Sequence, residues 1–221
     1  MNAAAVLHLL QFASPALPIG GYSYSQGLET AIDSAVVTDP ATAREWIAGC
    51  LHDVIARWDA PLLWRLLKAF EAGDDAEVAL WSERFLASRD SAEFRAETIQ
   101  MGYSLTKLVA ELGVADVSKL GAEVSLPTAF ACAVSALGIP HREALLAMLF
   151  SWAENQVLVC VKSVPLGQVA GQRLLLSLAP DLELAAQRAC TLADAEMSNW
   201  TPALSMLSMR HEVQHGRLYR S

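Results

Sequence analysis

Charge is scarce in this sequence, and positive charge is scarcer than negative. Only 18% of the 221 residues are charged, and the formal net charge is −8. No basic run and no interleaving of basic with aromatic residues is present, so the sequence argues against nucleic acid as a partner. The amino terminus also lacks a basic region ahead of its apolar residues. That absence predicts no secretory signal and a cytoplasmic protein.

Cysteine is equally sparse, and no two cysteines form a Cys-x-x-Cys pair. Four buried free thiols on apolar helical segments are therefore expected, rather than disulfides or a zinc site. These residues are Cys50, Cys132, Cys160 and Cys190. Proline or polar residues interrupt each long apolar run, so no membrane span is predicted.

Strand-like alternation of apolar and polar residues is missing over any useful length, and no internal repeat occurs. Apolar residues recur instead at three- and four-residue intervals along the whole chain. The sequence therefore predicts an all-α fold, a single-domain bundle of roughly ten helices over residues 1–221. Its hydrophobic content of 53% is high for a soluble domain and predicts self-association through a helical face.

Prolines, glycines and capping residues set the expected helix boundaries. Asp59-Ala60-Pro61 is expected to begin a new helix, and Pro165 is expected to end one. A helix of small residues around Ala129 to Ala136 is a candidate for the central helix of the bundle. The predicted helices cover residues 2–12, 24–35, 40–58, 61–72, a charged segment within 71–97, 91–112, 126–137, 141–164, 166–178, 180 toward 200, and a final segment 203–221.

Residues 14–29 contain two prolines and two glycines between apolar segments, so a shaped loop is expected there. Two interpretations remain open. The loop either joins two core helices or presents Tyr22, Tyr24 and Gln26 to a partner. It is not a phosphate loop of the Walker type, because no lysine precedes Lys68.

A second polar segment, residues 162–173, also allows two interpretations. One lysine, two glutamines and one arginine interrupt an otherwise uncharged stretch at a break between helices. Such isolated polar groups are either hydrogen-bonded inside the fold or presented outside.

The carboxyl-terminal segment combines histidines with arginines. His211 and His215 are spaced to share one helix face, and with Glu212 they match the His-Glu-x-x-His pattern of zinc proteases. Three arginines close to them disfavour a bound cation, so a surface helix without metal is favoured. The same arginines form a basic patch on an acidic protein. We expect residues 203–221 to bind an acidic partner and to contribute little to folding.

Five segments together resemble one family. They are the loop SPALPIGGYSYSQGLE at 14–29, ETIQMG at 97–102, PLGQVAGQR at 165–173, SMLSMRHE at 205–212 and RLYRS at 217–221. In this order they resemble the UreF family of urease accessory proteins, from one end of the chain to the other. One departure is His215-Gly216, where family members often carry Tyr-Ser.

The resemblance implies an all-helical scaffold without catalytic residues or a cofactor. Such a protein joins UreD, also called UreH, and the GTPase UreG in a complex that delivers nickel to apo-urease. A homodimer, a part in nickel cation binding and an influence on the UreG GTPase are also implied, with Lys162 and Arg173 as candidates to reach the phosphates in trans. The expected partner-binding residues are Tyr22, Ser23, Tyr24, Gln26, Glu29, Lys162, Gln168, Gln172, Arg173, Arg210, His211, Glu212, Arg217 and Arg220.

An alternative from another class stays open. A helical small-molecule enzyme would need a pocket, and Trp152, Glu154 and Cys160 on one apolar helix are the residues to line it. No supported nucleophile or phosphate loop accompanies them, so we expect no GTP hydrolysis by the purified chain.

Overall fold

Helices joined by turns make up residues 2–164 and 166–221, the part of the chain that this computed structural model describes, and no strand occurs in that part. The all-α prediction is confirmed, and the number of helices is close to ten. The expected break at Pro165 lies outside the described residues. The helices are α1 (Ala3–Phe12), α2 (Leu28–Asp33), α3 (Pro40–Cys50), α4 (Ala60–Ala72), α5 (Asp75–Ala87), α6 (Ala92–Glu111), α7 (Leu126–Ala136), α8 (His141–Ser163), α9 (Gln168–Ser177), α10 (Ala179–Thr191) and α11 (Pro202–His211).

Helix α7 lies at the centre of the bundle, as its small residues predicted. Each of its residues from Pro127 to Val134 is buried, and it packs against α4 and α6. Alanine side chains let neighbouring backbones approach, so bulky residues of α4 such as Leu63 and Leu66 fill the space around it. The result is one continuous core that extends to α8 and α10.

Helix α8 is long and apolar enough to cross a membrane by length and composition alone. Half of its most apolar window is buried inside the fold, which makes it a core helix of this bundle. The four cysteines are free, as predicted. Burial of all four was also predicted, but only Cys132 and Cys160 are buried, whereas Cys50 and Cys190 are half-buried.

Several helix ends follow the local signals in the sequence. The Asp39 carboxylate accepts hydrogen bonds from the amides of Ala41 and Thr42, and the Asp39 amide donates to the Thr42 hydroxyl oxygen, so α3 begins with a capping box. Gly73 ends α4 in the left-handed conformation with φ of 66°, and the Ser91 side chain caps α6. The helix starts expected at residue 40 and near residue 91, and the helix end expected at residue 72, are confirmed.

The prediction that a new helix begins at Asp59-Ala60-Pro61 is wrong. A π-helix, Leu51–Asp59, joins α3 to α4 without a break. Pro61 has no amide hydrogen to offer the carbonyl of Arg57, which instead accepts the amide of Ser198 at 3.1 Å. The proline is therefore accommodated by a widened helix and a distant donor rather than by a new helix start.

Two other boundaries also differ from expectation. The helix predicted over 24–35 is only Leu28–Asp33, because Gln26 and Gly27 have positive φ angles of 56° and 82°. The helix expected to run from 180 toward 200 stops at Thr191, where Leu192 is extended.

The final helix ends at His211, so His211 and His215 do not share a helix face and that expectation is wrong. The chain turns at Gly216, which has φ of 73°, and residues 217–221 pack back on the fold. Tyr219 and Ser221 are only 7% and 1% exposed. The segment is thus part of the folded core, contrary to the expectation that it contributes little.

Candidate functional site

The loop that follows α1 is bound to the last residues of the chain. After Gly20, with φ of 78°, a short 3-10 turn leads to Ser25, whose amide and hydroxyl both donate to the carbonyl oxygen of Ser221, at 2.8 and 2.5 Å. The amide of Arg220 donates to the carbonyl of Ser23 at 2.8 Å. Two segments at opposite ends of the sequence therefore form one surface.

Gln26 lies beneath this surface rather than on it. Its Nε2 donates to Glu97 Oε1 at 2.5 Å, and its Oε1 accepts from the indole nitrogen of Trp152 at 2.7 Å. The hydroxyl of Ser221 donates to the other oxygen of Glu97. Burial raises the pKa of Glu97 to about 7, although these hydrogen bonds act in the opposite direction.

A second cluster, which we call the histidine cluster, joins the buried Glu29 and His211 to the half-buried Glu93 and the exposed Arg217. The imidazole of His211 has no exposed surface, and its Nε2 and Nδ1 lie 2.9 and 2.6 Å from oxygens of Glu29 and Glu93. Arg217 donates to the other oxygen of Glu93 at 2.6 Å. The amides of Leu218 and Tyr219 donate to Glu29 at 2.6 and 3.1 Å, which anchors the turn after Gly216.

On the outside, aromatic and basic side chains lie together. The Lys162 ammonium group lies 5.9 Å from the ring centroids of both Tyr22 and Tyr219, within the range of cation–π attraction. Tyr22 is 60% exposed. The polar residues of 162–173 that the sequence left undecided are presented outside, since Lys162, Gln168, Gln172 and Arg173 are all exposed.

The expected partner-binding residues thus fall into three groups. Tyr24, Glu29 and His211 are buried in this structure, and their expected role in partner binding stays a prediction. Ser23 and Gln26 are half-buried. The exposed residues are Tyr22, Lys162, Gln168, Gln172, Arg173, Arg210, Glu212, Arg217 and Arg220.

Sequence reasoning missed four residues that build this region, namely Ser25, Glu93, Glu97 and Ser221. Each has a polar side chain whose partner is more than 70 residues away in the sequence. For Glu97 a signal was available, because this acidic residue occupies a position on the buried face of α6.

The pocket of the alternative enzyme is incomplete. A cavity of about 190 Å³ is lined by Trp152 and Glu154, together with Glu97 and apolar side chains of α6 and α8. Cys160 does not line it, and burial raises the pKa of its thiol to about 12. Among the described residues, no group of three or more histidine, cysteine, aspartate or glutamate side chains is placed to hold a metal ion.

Fold and site together define an all-helical protein whose terminal segments meet on one face. The family model described as UreF matches residues 37–179. The urease accessory protein UreF of Janthinobacterium sp. (strain Marseille) is 64% identical over 226 residues, covering 100% of both chains. The corresponding protein of Nitrosospira multiformis is 58% identical, with 98% of each chain covered, and that of Cupriavidus necator 46%, with 98% of this chain and 97% of its own. The chain belongs to the UreF family of urease accessory proteins and acts in urease maturation.

Proposed function

We propose that this protein is a cytoplasmic scaffold that joins UreD and the GTPase UreG in a complex delivering nickel to apo-urease. Nickel is the cargo of that complex rather than a resident ion of this chain. The observation that carries the proposal is the outer face of α11. Met206 and Met209 lie three residues apart on α11 and are 55% and 50% exposed, and Val213, in the turn just after the helix, is 76% exposed. Large exposed apolar side chains grouped in this way are typical of protein interfaces.

Charge at the rim of this face supports an acidic partner. Arg210 is exposed on α11 and has no ion pair among the described residues, whereas Arg217 is paired with Glu93. Arg220 is exposed as well. Because the whole chain carries a net charge of −8, a local basic surface favours a partner with carboxylates at the matching position.

Further apolar surface supports the homodimer. Leu7 and Leu10 on α1 are 66% and 64% exposed, and Val169 and Leu176 on α9 are 66% and 77% exposed. Burial of these side chains against a second copy of the chain would lower the free energy of the dimer. Lys162 and Arg173 are exposed cations and remain the candidates for an influence on nucleotide turnover by UreG.

Co-purification with UreD and UreG from cells that express the urease genes tests the proposal. Met209→Glu places a charge in the proposed interface and should reduce capture of UreD or UreG and activation of urease by at least about tenfold. Leu112→Glu is a matched control, since Leu112 is 51% exposed at the end of α6. It should leave both unchanged. Normal capture and activation by Met209→Glu would contradict the proposal.

A further inference from the structure

A wide groove with many carboxylates lies apart from the terminal segments. Its volume is about 1120 Å³, and it is lined by the end of α4, by α5, by residues 115–123 between α6 and α7, and by the start of α8. None of the described residues that line it also lines the cavity of about 190 Å³ or belongs to residues 14–29 or 203–221. The groove is therefore a surface separate from the face of α11.

We propose that this groove, which we call the acidic groove, docks a basic amphipathic segment of a partner protein. Apolar side chains of that segment cover the floor of the groove, and its lysines or arginines pair with carboxylates at the rim. The inference goes beyond the proposed function, which assigns the face of α11 to an acidic partner. A chain with one basic and one acidic docking surface can hold two partners of opposite local charge at once.

The charges along the acidic groove are strongly unbalanced. Seven carboxylates line it, against the two cations Lys119 and Arg142. The Lys119 ammonium group is already paired, because it lies 2.7 Å from a carboxylate oxygen of Asp75. Within residues 2–164 and 166–221, four of the lining carboxylates have no ion pair, namely Asp74, Glu83, Asp116 and Glu143. Such an excess of one sign of charge in a groove attracts a partner of the opposite sign.

The distribution of these carboxylates favours an extended cationic partner over a single ion. Among the described residues, no three histidine, cysteine, aspartate or glutamate side chains converge where a metal ion could bind. The unpaired carboxylates instead come from α5 with its capping residue, from the loop after α6 and from the first turn of α8. Lysine or arginine side chains that are spaced along a peptide can reach separated carboxylates at the same time.

The floor of the acidic groove is apolar. It contains Val78 and Ile139, which are 8% and 2% exposed, and the half-buried Phe70, Leu86 and Leu120. The groove volume of about 1120 Å³ also exceeds the range of about 300–1,000 Å³ that is usual for small-molecule sites. Because a hydrated polyamine would leave the floor uncovered, a segment with both apolar and basic side chains fits the groove better.

Fluorescence anisotropy with the whole chain tests the proposal. The probe is a labelled peptide of about 18 residues with leucines on one helix face and lysines on the other. It should bind, and its affinity should fall as salt is added, since exposed charges are screened. A second peptide with serine in place of leucine should bind at least about tenfold more weakly. Equal affinity of the two peptides, or no binding of the first at about 1 mM, would overturn the proposal.

Charge reversal shows where the leucine–lysine peptide binds. Glu71→Lys combined with Glu83→Lys replaces two exposed carboxylates of the acidic groove and should weaken binding at least about tenfold. The control, Glu45→Lys combined with Glu183→Lys, makes the same change in net charge on exposed surface of α3 and α10, and should weaken binding about twofold or less. Equal weakening by the two double variants would show that net charge attracts the peptide, and would refute the docking site.

A single substitution is the alternative if the groove double variant unfolds. Glu83→Lys alone should weaken binding of the leucine–lysine peptide about threefold, because one exposed ion pair is lost and one repulsion is added. Glu45→Lys is then the control. Wild-type affinity in Glu83→Lys would contradict the proposal.

A second copy of the chain is the competing occupant of the acidic groove. Sedimentation at micromolar concentration should give the same oligomeric state for the wild type and for the groove double variant. A dimer that is lost in that variant would identify a second copy as the occupant and overturn the proposal. The outcome for the face of α11 is separate, since failure of Met209→Glu to capture UreD or UreG does not change binding of the peptide.

Discussion

Replacing Glu97 by Gln should remove a fall in stability that the wild type shows between about pH 5 and pH 7. Glu97 is 4% exposed, and burial raises its pKa to about 7 from an ordinary value of 4.5. The folded state therefore holds a proton on Glu97 that the unfolded chain has already lost in this range. Because the unfolded state binds fewer protons, the free energy of unfolding falls as pH rises through this interval.

The size of the effect follows from the two values. The pKa of the carboxyl group is about 7 in the folded state and 4.5 in the unfolded state. Since one pKa unit corresponds to about 1.36 kcal/mol, the free energy of unfolding changes by about 3 kcal/mol in total. Stability is highest with respect to this group below about pH 4.5, where it is protonated in both states. The loss is complete about one pH unit above the folded-state pKa of about 7, and no further change from Glu97 is expected at higher pH.

Urea unfolding at pH 5, 6, 7 and 8 measures the difference. The Glu97→Gln variant can accept from Gln26 with its amide oxygen and donate to the Ser221 hydroxyl, so the local hydrogen bonds persist. Glu83→Gln removes a carboxylate of the same type from an exposed position and should follow the wild type. Equal pH dependence in wild type and Glu97→Gln would refute the assignment of this titration to Glu97.

Two further predictions concern single sites. Gly102→Ala should lower the free energy of unfolding by about 3 kcal/mol or more, because the added Cβ would lie 2.0 Å from the Val124 carbonyl oxygen, while Gly49→Ala, with no atom within 4 Å, should be neutral or stabilising in thermal unfolding. Asp39→Ala removes the cap of α3 and should cost about 1 kcal/mol in urea, whereas the neighbouring exposed Thr38→Ala should cost little.

The parts of the fold that the sequence predicted depend on interactions between near neighbours. The capping box joins Asp39 to Thr42, three positions further on, and the end of α4 needs only a glycine that accepts a positive φ. The burial of α7 follows from its own small side chains. Signals of this kind are complete within a short window, so periodicity and capping rules are sufficient to find them.

The parts that were missed depend on contacts that no short window contains. Ser25 and Ser221 are separated by 196 positions, and His211 and Glu93 by 118. The sequence places His211 four residues from His215, which suggested a shared helix face. Two carboxylates from other helices instead bury His211, and Gly216 turns the chain away. Continuity from α3 to α4 was missed for the same reason, because the donor that replaces the Pro61 amide is Ser198.

The same long-range contacts decide which experiment can test the carboxyl-terminal segment. Removing residues 216–221 would withdraw the donors that Glu29 and Glu97 use, leaving two buried carboxylates under-satisfied, so we expect a loss of several kcal/mol rather than unchanged stability. If the truncated chain failed to bind its partners, the loss of stability alone could be the cause. The experiment would therefore not test whether the surface of residues 216–221 binds a partner.

Arg210 avoids this problem, because it is exposed and forms no ion pair within residues 2–164 and 166–221. Arg210→Glu should keep the wild-type urea midpoint, since exposed substitutions without partners change stability by about 0.5 kcal/mol or less. It should nevertheless weaken capture of an acidic partner, which a pull-down with UreD and UreG measures. Arg188→Glu on exposed α10 surface makes the same charge change elsewhere and serves as the control. Equal weakening by both variants would show that net charge, and not the α11 face, governs binding.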